Sequence, residues 1–382
     1  MKKALIVTTV SGFVPQFERN NVHILQKMGY EVHYASNFKN PHYGTDNHRL
    51  DGTNIVCHQV DFVRSPYQIR QNLLAYRQLK KVIEENEFQL VHCHTPMGGA
   101  LARLAGSRKQ KKQILRILYT AHGFHFFDGA PCINWLLYYP IERWLARYTD
   151  VLITINQEDY ERAKRFCKKK KTKVEYIPGV GVDLDIFKRT GHETQEREKL
   201  GIDSQRFHIV AVGELNSNKN QTMILQAIAS LRDKEVICSI CGKGTSEAYL
   251  QKQIQKYGLE EQVSLLGYRS DISDILQTAD CFIFCSEREG LGIAALEALA
   301  CEVPVIASDN RGTREYMQHR KNGLVCMKFQ PEVYAEAIRT LKESKGLIES
   351  MRSCCRKTAE RFSIQETEKI MQIIYKREDS CF

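Results

Sequence analysis

The chain has 382 residues, and its 55 basic residues exceed its 45 acidic ones to give a formal net charge of +10. This length predicts two or three domains, since a domain typically holds roughly 100–200 residues. A composition of 43% hydrophobic and 26% charged residues excludes a disordered, collagen-like or coiled-coil chain. No apolar run approaches the roughly 18 residues of a membrane-spanning helix.

The first half of the chain alternates short apolar runs with helical patterns. A helix is expected over about residues 16–28, and the pairs Ser65-Pro66 and Thr95-Pro96 are typical of helix starts. Strands that alternate with helices predict a parallel sheet covered on both faces. The predicted strands are residues 4–10, 31–35, 55–60, 90–94, 114–121, 151–155 and 174–177.

The thirteen cysteines are scattered through the chain, often in apolar runs, which favours a reducing compartment. Cys238 and Cys241 have redox or zinc spacing, but they lie in an apolar strand pattern and are expected to be structural. No metal site is expected at His92-Cys93-His94, because alternate residues of a strand share a face only in part and no third ligand is evident.

The excess positive charge lies in the first half, since residues 1–185 carry 27 basic and 17 acidic side chains while the remainder carries 28 of each. Basic runs at 108–112 and 168–171 stand on either side of residues 133–145, which contain both tryptophans. An aromatic helix between basic loops is typical of contact with an anionic membrane surface, and packing in the core is the alternative. No nucleic-acid partner is expected, because no recognised reading motif accompanies the charge.

Residues 178–183 interrupt the first series, and a second series of strands and helices follows them. We therefore expect an α/β protein of two Rossmann-like doubly wound domains, joined near residues 178–200 and facing a central cleft. Ligands of such sheets bind beyond the carboxyl ends of the strands. The strands predicted in the second series are residues 207–212, 236–241, 263–266, 281–285, 303–307 and 323–326.

The most informative segment is residues 286–300, where a glycine-rich turn follows a strand and precedes a helix expected to begin near Leu291. Free backbone N–H groups and the positive end of the helix dipole suit a diphosphate. Glu289 in the turn and Glu297 two turns further along could accept hydrogen bonds from hydroxyls at opposite ends of one extended ligand. The alternatives are a helix-entry cap for Glu289 and a solvent-facing helix position for Glu297.

These glutamates stand inside the pattern Glu-Gly-Leu-Gly…Leu-Glu-Ala-Leu-Ala…Pro-Val-Ile-Ala-Ser, which resembles the signature of retaining glycosyltransferases of family 4. That family has the GT-B fold, and the resemblance covers essentially the whole chain. Residues 120–126, Thr-Ala-His-Gly-Phe-His-Phe, resemble its histidine motif beside the sugar, and residues 213–219, Gly-Glu-Leu-Asn-Ser-Asn-Lys, resemble its diphosphate clamp. With residues 133–143, these segments resemble more narrowly the bacterial capsule and exopolysaccharide transferases that use lipid-linked acceptors.

Carried over to this sequence, the resemblance implies three catalytic positions. Lys219 would neutralise the leaving diphosphate, Glu289 would bind hydroxyls of the donor sugar, and His122 would contact the sugar or the reacting centre. Glu297 would bind the ribose hydroxyls. The other implied donor-binding positions are Gly12, Glu214, Asn216, Gly242, Arg269, Gly290, Leu291 and Gly292, and the acceptor or membrane positions are His125, Trp135 and Trp144.

Glu214 departs from the family pattern, because it stands where the clamp usually has arginine and so reverses the charge beside a diphosphate. Either Glu214 turns away and another cation serves, for which Arg288 and Arg311 are candidates, or diphosphate binding is weakened. The resemblance implies no cofactor and no metal. Asp183 and Asp185 have the spacing of an Asp-x-Asp metal motif, but their place in the interdomain crossover favours a turn.

We expect an acceptor-binding domain at 1–185, a nucleotide-sugar donor domain at 186–362, and a C-terminal helix at 363–382 that packs back on the first domain. The expected function is transfer with retention from a UDP-sugar, such as a UDP-N-acetylhexosamine, to a polyprenyl-diphosphate-linked saccharide. The enzyme would be cytoplasmic and dock on the inner face of the plasma membrane. The alternatives are a sugar-nucleotide 2-epimerase, which needs no acceptor, and a non-catalytic sugar-nucleotide-binding partner of an assembly complex.

Overall fold

The computed structural model describes residues 1–39, 41, 47–112 and 114–377. The chain divides into two compact units, one of Met1–Val180 with the described part of Gln365–Phe382, and one of Gly181–Ile364. No helix within the described ranges combines the length and apolar character that a bilayer-spanning segment requires.

The division between the units differs by a few residues from the predicted boundaries at 185/186 and 362/363. The Val182 amide donates to the Phe362 carbonyl at 2.8 Å, and the Val182 carbonyl accepts from the Ile364 amide at 3.0 Å. These hydrogen bonds explain why residues 181–185 and 363–364 group with the second unit. Residues 378–382 of the predicted C-terminal segment lie outside the described residues.

A parallel sheet of seven strands forms the centre of the first unit. Its strands are apolar runs such as Leu5-Ile6-Val7, whose side chains are entirely buried, as expected for a sheet covered on both faces. The strands are β1 (Lys2–Val7), β2 (Tyr30–Ser36), β3 (Val56–Gln59), β4 (Phe88–His94), β5 (Arg116–Ala121), β6 (Val151–Thr154) and β7 (Lys173–Tyr176). Their order across the sheet is β3-β2-β1-β4-β5-β6-β7.

Helices connect these strands and cover the sheet. Leu79, Ala102 and Ala163, each from a different helix, belong to one buried apolar cluster with the strands. The helices of Met1–Val180 are α1 (Arg19–Lys27), α2 (Ile69–Glu85), α3 (Pro96–Lys111), α4 (Cys132–Leu145) and α5 (Gln157–Cys167).

The second unit repeats this architecture with a six-stranded parallel sheet. Its strands are β8 (Phe207–Val212), β9 (Val236–Cys241), β10 (Val263–Gly267), β11 (Cys281–Phe284), β12 (Val305–Ser308) and β13 (Gly323–Cys326). Their order is β10-β9-β8-β11-β12-β13. The helices that follow α5 are α6 (Glu193–Lys199), α7 (Gln221–Leu231), α8 (Glu247–Tyr257), α9 (Ile272–Gln277), α10 (Ile293–Ala300), α11 (Pro331–Glu343), α12 (Lys345–Glu360) and α13 (Ile364–Lys376).

The prediction of two doubly wound α/β domains is confirmed, and each predicted strand is present. The predicted starts of the helices were less accurate than the predicted strands. The predicted helix at 16–28 is a π-helical turn over Val14–Glu18 followed by α1. The start predicted at Ser65-Pro66 is wrong, because Nδ2 of Asn72 donates to the Ser65 carbonyl at 3.0 Å and the helix begins only at Ile69.

Candidate active site

The loops that follow β8 and β11 bring two of the predicted catalytic residues into contact. Nζ of Lys219 lies 2.6 Å from Oε1 of Glu289 and 4.9 Å from the centre of the Phe284 ring. The Lys219 and Glu289 side chains are 22% and 13% exposed, so each keeps a small accessible surface. An ammonium and a carboxylate in this arrangement can bind a ligand that carries both negative charge and hydroxyl groups.

Hydrogen bonds fix the loop that carries Glu289. The Asn218 carbonyl accepts from the Glu287 amide at 2.8 Å, and Nδ2 of Asn218 donates to the Arg288 carbonyl at 2.9 Å. Nε of Arg311 donates to the Glu289 carbonyl at 3.2 Å, and Arg311 is only 6% exposed. Of the two candidate cations, Arg311 therefore has its guanidinium beside the Glu289 backbone.

Glu214 lies at the start of the loop that ends in Lys219. Its side chain is exposed, and its carbonyl accepts a hydrogen bond from Nε2 of Gln221 at 3.0 Å. Asn216 lies in the same loop, where its Oδ1 accepts from the Lys219 amide at 3.0 Å.

Two of the predicted donor-binding glycines are required by the local backbone. A Cβ on Gly242 would lie 1.9 Å from the carbonyl oxygen of Gly213, so the loops after β8 and β9 pack directly on each other. Gly292 has a φ of +89°, and a Cβ there would lie 2.7 Å from the Phe284 ring. This left-handed residue ends the turn that contains Gly290 and Leu291, so α10 begins at Ile293, two residues later than predicted.

The two remaining donor positions of this unit differ in their surroundings. Glu297 is half-buried in the second turn of α10, and burial raises the pKa of its carboxyl to about 7. Arg269 follows β10, and its Nε donates to Oδ1 of Asp271 at 2.8 Å. Glu297 is therefore a carboxyl whose charge changes near neutral pH, whereas Arg269 is a cation already paired with a neighbour.

In the first unit, His122 belongs to a compact group of polar side chains at the ends of β4 and β5. Its Nε2 lies 3.1 Å from Nδ1 of His94 and 3.4 Å from Oε1 of Glu18. Nδ1 of His94 lies 3.3 Å from the same carboxylate oxygen. Glu18 and His94 are buried, whereas the His122 side chain is 22% exposed, so His122 is the member that a ligand can reach.

Burial determines the protonation of this Glu18 cluster, which consists of Glu18, His94 and His122. Burial raises the pKa of Glu18 to about 8, lowers the pKa of His122 to about 4, and lowers that of His94 well below its usual value. Nδ2 of Asn21 donates to Oε2 of Glu18 at 2.5 Å. All three members are therefore favoured in their neutral forms at pH 7.

Within the described ranges, the Glu18 cluster is the group of His, Cys, Asp or Glu side chains whose ligand atoms could meet at one metal ion, since all three atoms lie within 4.8 Å of one another. Cys93 is not part of this group, and its Sγ lies 3.2 Å from the Leu118 carbonyl oxygen. The expectation that the enzyme needs no metal stays a prediction.

Gly12 lies in the buried turn that follows β1. The hydroxyls of Thr9 and Thr95 are 2.7 Å apart, and the Gly98 amide donates to the Thr9 hydroxyl at 3.2 Å. These contacts hold the turn against the start of α3, at the same edge of the sheet as the Glu18 cluster.

Helix α4 turns an apolar face toward solvent. The ring of His125, a predicted acceptor residue, precedes this helix and stacks on Tyr138 with 4.7 Å between ring centres. The exposed apolar side chains of the helix are Ile133 (56% exposed), Leu136 (71%), Leu137 (41%), Ile141 (49%) and Trp144 (41%). We call these five residues the α4 face.

Trp135 does not lie on the α4 face, contrary to its predicted membrane role. Its ring packs 5.8 Å from the Phe126 ring, and the guanidinium of Arg162 lies 4.8 Å from its centre. Trp135 and Trp144 are nine residues apart, and about 100° of rotation per residue places them on opposite sides of a helix. Core packing, the alternative left open by the sequence, therefore applies to Trp135 but not to Trp144.

The sequence did not identify Glu18 as a site residue, and it did not relate His94 to His122. His94 ends β4 and His122 follows β5, and these strands are neighbours, so their proximity could have been inferred from the strand order. Glu18 carries no comparable signal, because it lies in the π-helical turn after β1 and reaches the histidines only through tertiary packing.

Comparison with known proteins assigns this chain to a family. Residues 20–186 match the family model Glycosyltransferase Family 4, and residues 192–362 match Glycosyl transferases group 1. A Bacillus subtilis (strain 168) protein, "Putative glycosyltransferase EpsD", is 40% identical over 378 residues, which cover 98% of this chain and 96% of that protein. The chain belongs to glycosyltransferase family 4.

Lower identities are found between this family 4 glycosyltransferase and the following relative and solved structures. An Escherichia coli "UDP-Gal:alpha-D-GlcNAc-diphosphoundecaprenol alpha-1,3-galactosyltransferase" is 27% identical over 77% of each chain. Among solved structures, Anabaena HepE in complex with UDP and glucose has a TM-score of 0.76 at 19% identity and covers 98% of this chain and all of the other. Sucrose-phosphate synthase from Thermosynechococcus elongatus has a TM-score of 0.79 at 16% identity and covers 99% and 98%. These likenesses confirm the predicted GT-B fold class.

Proposed function

We propose that this glycosyltransferase moves a sugar from a UDP-sugar to a polyprenyl-diphosphate-linked saccharide, with retention of configuration, during cell-surface polysaccharide synthesis. The observation that carries the proposal is the Lys219–Glu289 pair beside the start of α10. The Escherichia coli relative is named as an enzyme with a UDP-sugar donor, a diphosphoundecaprenol-linked acceptor and an alpha product, and this supports the choice of donor, acceptor and anomer.

Each residue of this site has a distinct part in the proposed transfer. Negative charge develops on the leaving diphosphate as the glycosidic bond breaks, and Lys219 with the free N–H groups of α10 would stabilise it. Glu289 would accept hydrogen bonds from the donor sugar, and Glu297 from the ribose. Because this cationic site supplies the positive charge, we propose that the reaction needs no catalytic metal. The acceptor hydroxyl would attack the face from which the diphosphate leaves.

Donor binding should depend on pH through Glu297. Its carboxyl accepts ribose hydrogen bonds best when ionised, and burial raises its pKa to about 7, so lowering the pH through 7 protonates it in the free protein. Affinity for a UDP-sugar should fall by up to about tenfold per pH unit below 7. Calorimetric titration from pH 8 to 5.5 tests this dependence. Glu297→Gln, which cannot ionise, should give a flat profile, and an equally steep profile in that variant would contradict the assignment.

We propose that the α4 face docks the enzyme on the inner surface of the plasma membrane. Five apolar side chains point to solvent along one side of a helix, and such a face gains free energy by entering the headgroup region of a bilayer. The net charge of +10 in residues 1–185 adds attraction to anionic lipids. Docking there would bring the enzyme to an acceptor anchored by its polyprenyl chain.

Placing a charge on the α4 face should release the enzyme from membranes. Ile141→Asp should lower partitioning onto vesicles that contain anionic lipid by at least about tenfold, since a buried isoleucine contributes about 1.5–3 kcal/mol. Vesicle co-sedimentation measures the effect. Ile373→Asp on α13 is the matched control, because Ile141 and Ile373 are 49% and 54% exposed. Equal loss in both variants, or none in Ile141→Asp, would contradict membrane docking by this face.

The donor is tested by thermal unfolding in the presence of UDP, GDP, ADP, CMP and a panel of UDP-sugars. A ligand at 100 times its dissociation constant stabilises the protein by about 2.7 kcal/mol, which is readily seen as a rise in melting temperature. We expect a selective shift with UDP and one UDP-sugar. A shift with another nucleotide alone would contradict the proposed donor. Binding of a UDP-sugar without product from any acceptor would favour the non-catalytic partner, for which the glutamate at position 214, in place of the usual clamp arginine, is the one specific observation.

A further inference from the structure

The loop of residues 122–128, which we call the histidine loop, carries His122 and His125 and runs between β5 and α4. The backbone groups of such a segment lie outside the hydrogen-bond ladders of helices and sheets, yet the buried ones still need partners. Side chains at the start of α5 supply partners for three residues of this loop. The contacts with α5 therefore help to decide where the two histidines lie.

The most buried of these contacts is made by Asp159. Its Oδ2 accepts hydrogen bonds from the Phe124 amide at 3.0 Å and from Nδ2 of Asn156 at 2.9 Å. The Asp159 amide donates to Oδ1 of Asn156 at 2.8 Å, so Asn156 caps α5 and Asp159 is the third residue of the helix. Both side chains are entirely buried. The start of α5 thus fixes the carboxyl group that binds the histidine loop.

Two further side chains of α5 bind the loop nearer to solvent. Nη1 of Arg162 donates to the Phe126 carbonyl at 3.0 Å, and Oε1 of Glu158 accepts from the Asp128 amide at 2.8 Å. The same Nη1 of Arg162 donates to Oε1 of Glu158 at 2.8 Å. The Arg162 and Glu158 side chains are 11% and 19% exposed, so water competes with their contacts more than with that of the buried carboxyl group.

Phe124 stands between the two histidines in the chain. Its ring stacks on the Phe126 ring with 4.7 Å between ring centres, and both rings are buried, whereas His125 between them is half-buried. A shift of the Phe124 backbone would move His125, the next residue, and would reach His122 through Gly123. The hydrogen bond to the Phe124 amide therefore acts on both histidines at once.

We propose that α5 positions the histidine loop for sugar transfer, chiefly through Asp159. This residue holds the Phe124 amide and so fixes His122 and His125 where they contact the ligand. Asp159 is buried and is a positioning residue, not a catalytic one. The identity of the ligand, a sugar donor or a lipid-linked acceptor, rests on the proposed function. The position of the histidine loop is a property of the free protein.

Two substitutions of Asp159 separate positioning from folding. Asp159→Ala removes the acceptor of the Phe124 amide and should lower kcat about 10- to 100-fold, since small misplacements of groups at a reacting centre have effects of this size. Asp159→Asn keeps a side-chain oxygen for that amide and should retain most of the activity. The dissociation constant of UDP should be unchanged in both, because the proposed diphosphate and ribose contacts belong to Gly181–Ile364. A wild-type kcat in Asp159→Ala, or equal losses in both variants, would overturn the proposal.

Asp150 provides the control for a general loss of stability. Its Oδ2 accepts from the Ile117 amide at 2.6 Å, and its Oδ1 accepts from Nε2 of Gln110 at 2.8 Å. Ile117 is the second residue of β5, so this carboxyl group binds backbone at the opposite edge of the sheet from the histidine loop. Asp150→Ala should lower the melting temperature, as Asp159→Ala does, but leave kcat unchanged. An equal loss of kcat in Asp150→Ala would reduce the role of Asp159 to folding and overturn the proposal.

Nuclear magnetic resonance of the full chain labelled with ¹³C-histidine reports the position of the loop without any measurement of activity. The signals of His122 and His125, identified by their loss in His122→Gln and His125→Gln, should shift or broaden in Asp159→Ala. They should stay in place in Asp159→Asn and in Asp150→Ala. Unchanged signals in Asp159→Ala would overturn the role of Asp159.

Arg162→Met keeps the test decisive if Asp159→Ala does not fold. It removes the donor to the Phe126 carbonyl from a position nearer to solvent and should shift the same two histidine signals by a smaller amount. Unchanged signals in this variant would overturn the positioning of the loop by α5. If the wild type transfers no sugar while the signals respond as expected, the proposed function fails and the positioning of the histidine loop stands.

Discussion

Replacing Lys219 with methionine is expected to lower the rate of sugar transfer by about 10²- to 10³-fold, because the proposed leaving diphosphate would lose the cation that stabilises it. The effect should fall mainly on kcat, since charge on the diphosphate grows as the glycosidic bond breaks. Methionine keeps the apolar contact with Phe284, whose ring lies 4.9 Å from the ammonium. The loss should therefore reflect charge rather than packing.

Steady-state rates with a saturating UDP-sugar measure the effect of Lys219→Met. Lys252→Met, in which an exposed lysine of α8 is changed in the same way, is the control and should transfer at the wild-type rate. A Lys219→Met enzyme that keeps its kcat would show that another cation, such as Arg311 beside the Glu289 backbone, stabilises the leaving group.

Replacing Glu289 with alanine is expected to abolish transfer while leaving the fold intact. The carboxylate would bind donor hydroxyls, and hydrogen bonds to a charged group contribute about 1.5–3 kcal/mol each, so losing two of them lowers the rate by at least about 10²-fold. The same change also frees Lys219 from its 2.6 Å contact and removes the side chain that orients the ammonium. Both effects lower the rate of transfer.

Glu287→Ala is the matched control, because Glu287 belongs to the same loop and its side chain is exposed. Circular dichroism and melting temperature should be close to wild type in both variants, and activity should be lost only in Glu289→Ala. Because Lys219 and Glu289 are in contact, their substitutions are not independent. The increase in activation free energy in the double variant should not exceed the sum of the increases in the two single variants. Full activity of Glu289→Ala would contradict the assignment of the site.

The fold was predictable from the sequence because parallel strands buried on both faces are continuous apolar runs. Helical patterns and turn residues separate these runs clearly. The strands at 207–212, 236–241 and 323–326 have the predicted limits. The start of α2 was not predictable from Ser65-Pro66, because the turn there is held by Nδ2 of Asn72, seven residues away from Ser65. The local propensity of Ser65-Pro66 to start a helix is outweighed there by this side-chain hydrogen bond.

The site was predictable in part. Lys219 and Glu289 are 70 residues apart, and only the resemblance to family 4 linked them before the structure placed them 2.6 Å apart. Glu18 was not predicted as a site residue because nothing in its local sequence pattern relates it to His122. The difference between Trp135 and Trp144, in contrast, was available from helical geometry, since nine residues of rotation separate the two rings by about half a turn.

The most direct test of the proposed transfer is the reaction of the purified enzyme with UDP-sugars and a polyprenyl-diphosphate-linked N-acetylhexosamine, followed by mass spectrometry and by assignment of the new anomeric centre. We expect a product one sugar larger, formed from one UDP-sugar with alpha configuration and without added metal. A beta linkage, a reaction that changes the UDP-sugar in the absence of acceptor, or a bound donor that yields no product would contradict the account.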